Sequence, residues 1–321
     1  MTVSTEPAAA ARVPQRRIPD FFIVGHHKSG TTALYEMLRR HPQIFMPDLK
    51  EPRFFASDLR SLFQATASGR LPQTFDEYLS LFAQARPEQR VGEASPSYLR
   101  SHTAASEIAS VQPAARSIAI LREPASFVRS LHLQLVQEHV ETEKDLGKAI
   151  SREEIVRGGR RVLRYTDHVR YVEQLRRYHD AFSADQTLVL IYDDFRRDNE
   201  ATVRRVLRFL EVDDQAPIEL MEANPTVSVR SRRLDDLVRA LYAGRGPVSR
   251  SVKTGIKALT PRRLRSNTFQ AIRRHLVYGR PRPPDESLMF ELRRRFEGEV
   301  LALSEYLDRD LVSLWGYDGV G

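Results

Sequence analysis

The feature that most constrains the fold is a short apolar segment that runs directly into a glycine-bounded loop and then a helix. The apolar segment is Asp20–Gly25, and the loop reads Gly25-His-His-Lys-Ser-Gly-Thr-Thr32. Apolar residues at helical spacing predict a helix over Thr31–Arg40. The N–H groups of such a loop and the positive end of the helix dipole converge where an anion is stabilised. The order of strand, loop and helix therefore predicts an α/β fold with a phosphate-binding turn.

Two further segments, Arg116–Arg122 and Thr187–Tyr192, are apolar almost throughout and resemble buried strands. Strands without polar alternation, separated by helices, are typical of a parallel sheet covered on both faces. We therefore expect an α/β architecture with a central parallel sheet flanked by helices. The helices are predicted at 126–150, 161–182, 199–211 and Asp285–Leu307.

The composition is that of a globular protein: 41% of the 321 residues are hydrophobic and none is cysteine. We expect a disordered tail over 1–17 and a single domain over 18–321. Within that domain, a basic, proline-rich and glycine-rich excursion at 244–285 is predicted to form a mobile flap. Because no apolar run approaches the length of a membrane span and no secretory h-region precedes the domain, a cytoplasmic location without an integral membrane segment is expected.

The net charge of +8 suits a polyanionic ligand. Nucleic acid is disfavoured as a partner because the sequence has no zinc-finger spacing, RNA-binding signature or helix-turn-helix pattern. A nucleotide with several phosphates satisfies the same charge.

The loop departs from the Walker pattern G-x-x-x-x-G-K-[ST] at one informative place. Its glycines are correctly spaced and Thr32 occupies the final position, but Thr31 stands where the lysine belongs, and the lysine is Lys28. An NTPase also needs a carboxylate on a strand to hold Mg²⁺, and the segment ending at Arg122 contains none. A kinase or NTPase is therefore disfavoured and stays an alternative.

Lys28-Ser-Gly-Thr-Thr32, placed after an apolar strand, resembles the 5′-phosphosulfate loop of PAPS-dependent sulfotransferases. The resemblance implies a P-loop NTPase-like sulfotransferase fold, PAPS as donor, PAP as product and no metal ion. In that family the lysine stabilises the phosphate that leaves as sulfate transfers. The donor-binding residues implied for this part of the chain are His27, Lys28, Ser29, Gly30, Thr31 and Thr32.

Three later segments extend the resemblance. Arg122 and Ser130 match an arginine at a strand end and a serine eight residues later, which grip the 3′-phosphate in the family. Tyr192 matches a tyrosine that packs near the adenine, although a core position is equally compatible with its surroundings. Arg230 lies where the family has a basic loop that closes over the 3′-phosphate.

The catalytic candidates resemble those of the heparan-sulfate branch rather than the cytosolic branch, which uses a histidine base. Glu93, in Val91–Tyr98, matches a segment whose glutamate acts as general base; a glutamate paired at a helix start is the structural alternative. Lys50, in Lys-Glu-x-x-Phe-Phe, matches a lysine that approaches the transferring sulfate. Arg53 stands where relatives often carry histidine. His102 is the rival base.

The resemblance implies an enzyme that transfers a sulfuryl group from PAPS to a hydroxyl or amine of a small-molecule or carbohydrate acceptor and releases PAP. A nucleotide-binding relative without catalysis remains the alternative outside the enzyme classes. The acceptor is open between a glycan, a glycolipid and a bacterial secondary metabolite. The 244–285 excursion could form an acceptor lid, attract an anionic or glycan substrate, or mediate self-association as a homodimer.

Overall fold

The computed structural model of the chain describes residues 17–66, 71–138, 140–152, 154–157, 160–221, 228–229, 278–279 and 283–319. These residues form two compact units. The first comprises the chain up to Arg122 together with Arg170–Ala223, and the second comprises Glu123–Val169 and Asn224–Gly321. The single domain expected over 18–321 stays a prediction. Residues 1–16 of the predicted tail and nearly all of the 244–285 excursion lie outside the described residues.

The helices and strands follow one another in chain order. They are β1 (Phe21–Gly25), α1 (Thr31–Arg39), β2 (Ile44–Phe45), α2 (Arg60–Thr66), α3 (Phe75–Ser80), β3 (Arg90–Ala94), α4 (Ala104–Val111), β4 (Arg116–Leu121), α5 (Pro124–Gln137), α6 (Leu146–Ser151), β5 (Glu154–Arg157), β6 (Arg160–Arg164), α7 (Tyr171–Ala181), β7 (Thr187–Ile191), α8 (Tyr192–Arg197), α9 (Asn199–Phe209), β8 (Ser228–Val229), β9 (Tyr278–Gly279), α10 (Glu286–Tyr306) and α11 (Leu311–Trp315).

The first unit is built on a parallel five-stranded sheet in the order β2-β3-β1-β4-β7. All five residues of β1 are buried, which explains why this strand is apolar throughout. Since all strands are parallel, the loops that follow β1, β3, β4 and β7 leave the same edge of the sheet. The predicted parallel sheet flanked by helices is confirmed.

The two faces of the sheet are covered by different groups of side chains, because successive residues of a strand point to opposite faces. Ile23 and Ile118 belong to a buried cluster with residues of α1 and α9, including Leu34 and Val206. Phe22 contacts the aromatic ring of Phe55 edge-on at 5.9 Å, and this second group continues into other buried aromatic side chains. Apolar burial on both faces is the main stabilising contribution to such a sheet.

Two predicted helices are corrected by the structure. The span predicted as the helix 161–182 begins in strand β6, which is paired antiparallel with β5, and continues through a 3₁₀ turn at Thr166–His168; the α-helix α7 starts only at Tyr171. The span 126–150 divides into α5 and α6. Between them the carboxylates of Glu141 and Asp145 accept backbone N–H groups of nearby residues, and such local bonds compete with helix formation. The predicted helix Asp285–Leu307 is confirmed as α10, with Asp285 as its N-cap.

Strands β2 and β3 were not predicted from the sequence. Position 92 in β3 must be glycine, because a Cβ atom there would lie 2.1 Å from the ring of Phe21 on the neighbouring strand. The alternative that placed Glu93 at a helix start is wrong, since Glu93 pairs with Phe22 in the sheet.

In the second unit, α5 packs against α10. The carboxylate of Glu123 caps α5 by accepting the N–H groups of Ala125 and Ser126, and it also accepts the hydroxyl of Tyr317 at 2.6 Å. Within the part of the chain that the structure describes, no helix is both long and apolar enough to cross a membrane.

Candidate active site

The phosphate loop, residues 25–32, follows β1 and ends at Gly30 in the left-handed conformation, with φ of 88°. A Cβ atom at Gly30 would lie 2.8 Å from the ring of Phe195, so both the backbone angle and the space require glycine. Helix α1 begins at the next residue, Thr31, which is buried, whereas Thr32 is exposed. The first turn of α1 contains no acidic residue, which keeps this helix end compatible with an anion.

Hydrogen bonds from neighbouring strands fix the phosphate loop. The N–H of His26 donates to the carbonyl of Ile120 in β4 at 2.9 Å. Lys28, itself in the left-handed region with φ of 59°, offers its carbonyl to the Arg122 guanidinium at 3.0 Å. The Ser29 hydroxyl donates to the carbonyl of His27 at 3.3 Å. Ile120 and Arg122 thus anchor the loop to the end of β4, while Ser29 braces it from within.

Arg122 is positioned by two tyrosines. Its guanidinium lies 4.8 Å from the ring centre of Tyr192, the first residue of α8, and its carbonyl accepts the hydroxyl of Tyr171 at 2.9 Å. Tyr192 also packs against the buried cluster of the sheet. Both predicted nucleotide contacts thus lie beside the phosphate loop, with Tyr192 serving as a platform for the arginine.

A second segment, the charged turn at residues 50–55, lies beyond the end of β3. The ammonium of Lys50 contacts one carboxylate oxygen of Glu51 at 2.8 Å, and Arg53 donates to the other. Glu51 and Arg53 both have positive φ, 61° and 55°, in the left-handed region that non-glycine residues rarely adopt. Burial opposes ionisation of Glu51, but the positive charges of Lys50 and Arg53 outweigh it and hold the pKa of Glu51 well below its usual range.

The charged turn and the phosphate loop are close enough to interact electrostatically. Burial lowers the pKa of His27 to about 4, the negative charge of Glu51 opposes this shift, and Arg53 adds to it. His27 is therefore neutral at pH 7. The loop that carries Lys28 and the turn that carries Lys50 thus form one local environment.

Glu93 lies beneath the charged turn and is completely buried. Its carboxylate accepts hydroxyl hydrogen bonds from Ser95 at 2.5 Å, Tyr78 at 2.5 Å and Tyr98 at 3.2 Å. Burial raises the pKa of Glu93 to about 7, although these three donors act in the opposite direction. Because a general base must contact the acceptor, the burial of Glu93 argues against direct proton transfer.

Three further residues were predicted from the sequence to act at the site. His102 is exposed, and its backbone N–H donates to Asp58 at 3.0 Å. Ser130 is a buried residue of α5 in the second unit. Arg230 lies outside the described residues. The functions assigned to these three residues stay predictions.

Lys50 and Arg53 were singled out from the sequence, but no function was predicted for Glu51 between them. The available signal was an acidic residue flanked by two cations in Lys50-Glu-Pro-Arg53. Among the described residues, no group of three or more His, Asp or Glu side chains is arranged to hold a metal ion, and the expectation of metal-free chemistry stays a prediction.

Comparisons with known proteins point to one family. The model described as the sulfotransferase family matches residues 19–216, more than half of the chain. The membrane-associated sulfotransferase kil1 of Dictyostelium discoideum is 33% identical over 107 residues, which are 33% of this chain and 21% of that protein. Heparan sulfate glucosamine 3-O-sulfotransferase 6 of Mus musculus is 31% identical over 125 residues, 39% of this chain and 32% of that protein. The matches thus span only a minor part of these relatives.

A solved structure agrees with the family match. The crystal structure of a sulfotransferase from Alicyclobacillus acidocaldarius superposes with a TM-score of 0.56 at 28% identity, covering 71% of this chain and 92% of that one. The family match includes the phosphate loop, the charged turn, Glu93 and Arg122. With its parallel sheet and the loop that follows β1, the chain belongs to the sulfotransferase family and has the P-loop-like fold of those enzymes.

Proposed function

We propose that this transferase moves a sulfuryl group from PAPS to a hydroxyl or amine of a small-molecule or carbohydrate acceptor and releases PAP. The observation that carries the proposal is the phosphate loop, in which Lys28 and the N-terminus of α1 lie beside Arg122. These residues fit a nucleotide with phosphates at both ends of its ribose: one cationic loop for the 5′ side and a separate arginine for the 3′ side.

The residues of the phosphate loop fit the 5′ side of the donor. Gly30, which must be glycine because of its positive φ and of the ring of Phe195, directly precedes α1 and so places the N–H groups of that helix end beside the loop. During transfer, the bond between sulfur and the oxygen that bridges it to phosphorus breaks, and negative charge grows on this bridging oxygen. Lys28 supplies the positive charge that stabilises this oxygen, and Lys50 adds to it.

Arg122 is proposed to bind the 3′-phosphate. Its guanidinium has five N–H donors, of which the bond to the Lys28 carbonyl uses one. The same side chain can thus support the phosphate loop and bind a phosphate. The ring of Tyr192, against which the guanidinium lies, orients Arg122. The contribution of Ser130 to binding this phosphate stays a prediction.

The acceptor must lose a proton as its oxygen or nitrogen forms the new bond to sulfur. We assign this proton to Glu51 instead of Glu93, because the Glu51 side chain is 23% exposed and Glu93 is inaccessible. Its low pKa keeps Glu51 ionised at pH 7, as a base requires. His102, the rival base, is exposed and carries no hydrogen bond that would orient its ring toward the charged turn among those described.

A carbohydrate acceptor is supported by the relatives. The name of the mouse protein specifies a heparan sulfate glucosamine, and its similarity covers 39% of this chain. The net charge of +8 also favours an anionic glycan. A cytoplasmic location and a homodimer remain part of the proposal without further support.

The experiment that tests the proposed function is transfer of ³⁵S from labelled PAPS to a panel of glycans, glycolipids and small phenols and amines, in buffer with EDTA. If the unmodified protein forms labelled product and Glu51→Gln does not, the result supports PAPS as the donor and Glu51 as the base. Transfer of ³²P from ATP that requires Mg²⁺ would instead identify a kinase. PAP binding without any transfer across the panel would favour the non-catalytic relative.

A further inference from the structure

The buried carboxylate of Glu93 is connected by hydroxyl groups to the backbone of the charged turn. The Ser95 hydroxyl, which donates to Glu93, accepts the N–H of Arg53 at 3.0 Å. The Tyr98 hydroxyl, which also donates to Glu93, accepts the N–H of Phe55 at 3.2 Å. A hydroxyl has one hydrogen and two lone pairs, so both bonds can form at once. Two continuous chains therefore run from Glu93 to the turn.

The direction of these chains depends on Glu93. Above its pKa of about 7 the Glu93 carboxylate is ionised and only accepts, so that it fixes the hydroxyl hydrogens of Ser95 and Tyr98 toward itself. Their lone pairs are then left for the N–H groups of Arg53 and Phe55. In a chain of this kind each hydrogen bond polarises and strengthens the next.

The turn needs such support because its backbone is unfavourable. Positive φ angles at non-glycine residues cost about 1–3 kcal/mol each and persist only where the surroundings hold them. Glu51 and Arg53 both have such angles. The Glu51 N–H is held by the carbonyl of Ala94 at 3.0 Å, so β3 and the residues after it restrain the turn at three successive points.

We propose that Glu93 is a positioning residue for the transfer reaction. Acting through Ser95 and Tyr98, it holds the backbone of Arg53 and Phe55 and thereby places Lys50 and Glu51 at the reacting groups. The expected effect of Glu93 on the transfer reaction rests on the proposed function. Its effect on the backbone of the charged turn does not.

Three variants and one control separate the links of the two chains. Ser95→Ala removes the acceptor for Arg53, Tyr98→Phe removes the acceptor for Phe55, and Glu93→Gln disturbs both chains. Tyr78→Phe is the matched control: it also removes a hydroxyl donor to Glu93, but neither of the two N–H acceptors. All four retain the volume of the core to within a few atoms.

Amide hydrogen exchange of the full-length protein, measured by NMR, tests the two hydrogen-bond chains independently of catalysis. We expect exchange of the Arg53 N–H to be about tenfold faster in Ser95→Ala and that of the Phe55 N–H in Tyr98→Phe. Both should accelerate in Glu93→Gln, and neither by more than about twofold in Tyr78→Phe. Unchanged exchange at Arg53 and Phe55 in Ser95→Ala and Tyr98→Phe overturns the inference, whether or not Glu93→Gln folds.

Kinetics then separates positioning from direct proton transfer. We expect kcat to fall in Ser95→Ala and Tyr98→Phe by about tenfold while the Kd of PAP changes by less than about twofold. A combined Glu51→Gln, Glu93→Gln variant should be little slower than Glu51→Gln, because both act through one group.

Loss of turnover in Glu93→Gln alone, with Ser95→Ala and Tyr98→Phe as active as the unmodified protein, would contradict the inference. If the unmodified protein transfers no sulfuryl group, the proposed function fails, and amide exchange still decides the hydrogen-bond chains.

Discussion

The phosphate loop follows β1 and the charged turn lies against the end of the adjacent strand β3, but their shapes have different origins. The turn of the phosphate loop is made by its own residues, a glycine with φ of 88° and a helix that begins at the next position, and Ile120 and Arg122 anchor this turn to the sheet. The charged turn is shaped by residues more than forty positions away, through the bonds from Arg53 to Ser95 and from Phe55 to Tyr98. A loop that is shaped locally can be identified from a motif. A turn that is held by distant side chains requires the structure.

The two regions also present charge differently. Within the phosphate loop Lys28 lies three residues before a helix whose first turn has no acidic residue. In the charged turn Glu51 neutralises much of the charge of Lys50 and Arg53 through direct contacts. We therefore expect the phosphate loop to account for most of the donor affinity and the charged turn to act mainly on the acceptor and the rate.

The largest expected effect belongs to the phosphate loop. Lys28→Ala should lower kcat by about a thousandfold or more, because the leaving oxygen loses its positive charge. Single-turnover transfer from PAPS measures this loss. Lys148→Ala, at an exposed lysine of α6, is the matched control and should turn over normally. Normal turnover of Lys28→Ala would mean that the loop does not take part in the reaction.

The buried side of the charged turn can be tested by pH. Because the pKa of Glu93 is about 7 in the folded protein and 4.5 is its reference value, the folded state holds this proton more tightly than the unfolded state. The contribution of Glu93 to the free energy of unfolding is thus complete below about pH 4.5 and falls as pH rises through 7, by about 3 kcal/mol in all.

Denaturation of the unmodified protein and Glu93→Gln between pH 5 and 8 measures this contribution as a difference. The advantage of the unmodified protein should shrink as pH rises, whereas contributions of other groups, including Glu51, cancel. If the difference in the free energy of unfolding between the two proteins does not change with pH, Glu93 has the same pKa in the folded and unfolded states.

Gly30→Ala tests whether the phosphate loop is shaped by its own backbone. The substitution should lower the free energy of unfolding by about 2 kcal/mol, because alanine disfavours positive φ and its Cβ meets the ring of Phe195. The contrasting variant is Gly298→Ala, in an exposed position of α10 where a Cβ meets nothing within 4 Å. It should stabilise by about 1 kcal/mol. Equal effects in urea denaturation would refute a special requirement at Gly30.

Arg122→Ala should have the smallest effect, on donor binding rather than on stability. We expect the Kd of PAP to rise about tenfold, since one charge-assisted contact and one brace of the phosphate loop are lost. Arg122→Lys should recover little, because lysine lacks the planar group that lies over Tyr192. Titration calorimetry distinguishes the variants, and an unchanged Kd in Arg122→Ala would remove the proposed 3′-phosphate contact.

Much of this molecule can be predicted from its sequence, but not evenly. Segments with continuous apolar character, such as β1 and β4, were predicted correctly because burial on both faces dictates their composition. The interval 126–150 was predicted as one helix, because the capping bonds of Glu141 and Asp145 have no distinctive pattern. Glu93 was identified as important from a motif, but whether its carboxylate is exposed or buried depends on Tyr78, which reaches it from α3.

The proposed function requires that the phosphate loop bind the nucleotide of PAPS without a metal ion. Its most direct test is titration calorimetry of the full chain with PAP, 5′-AMP and ATP, with EDTA and separately with Mg²⁺. We predict that PAP binds in EDTA at one site per chain, that Lys28→Ala weakens this binding, and that 5′-AMP, which lacks the 3′-phosphate, binds at least about tenfold more weakly. Absence of PAP binding, or binding of Mg²⁺-ATP that is tighter than that of PAP, would contradict the account.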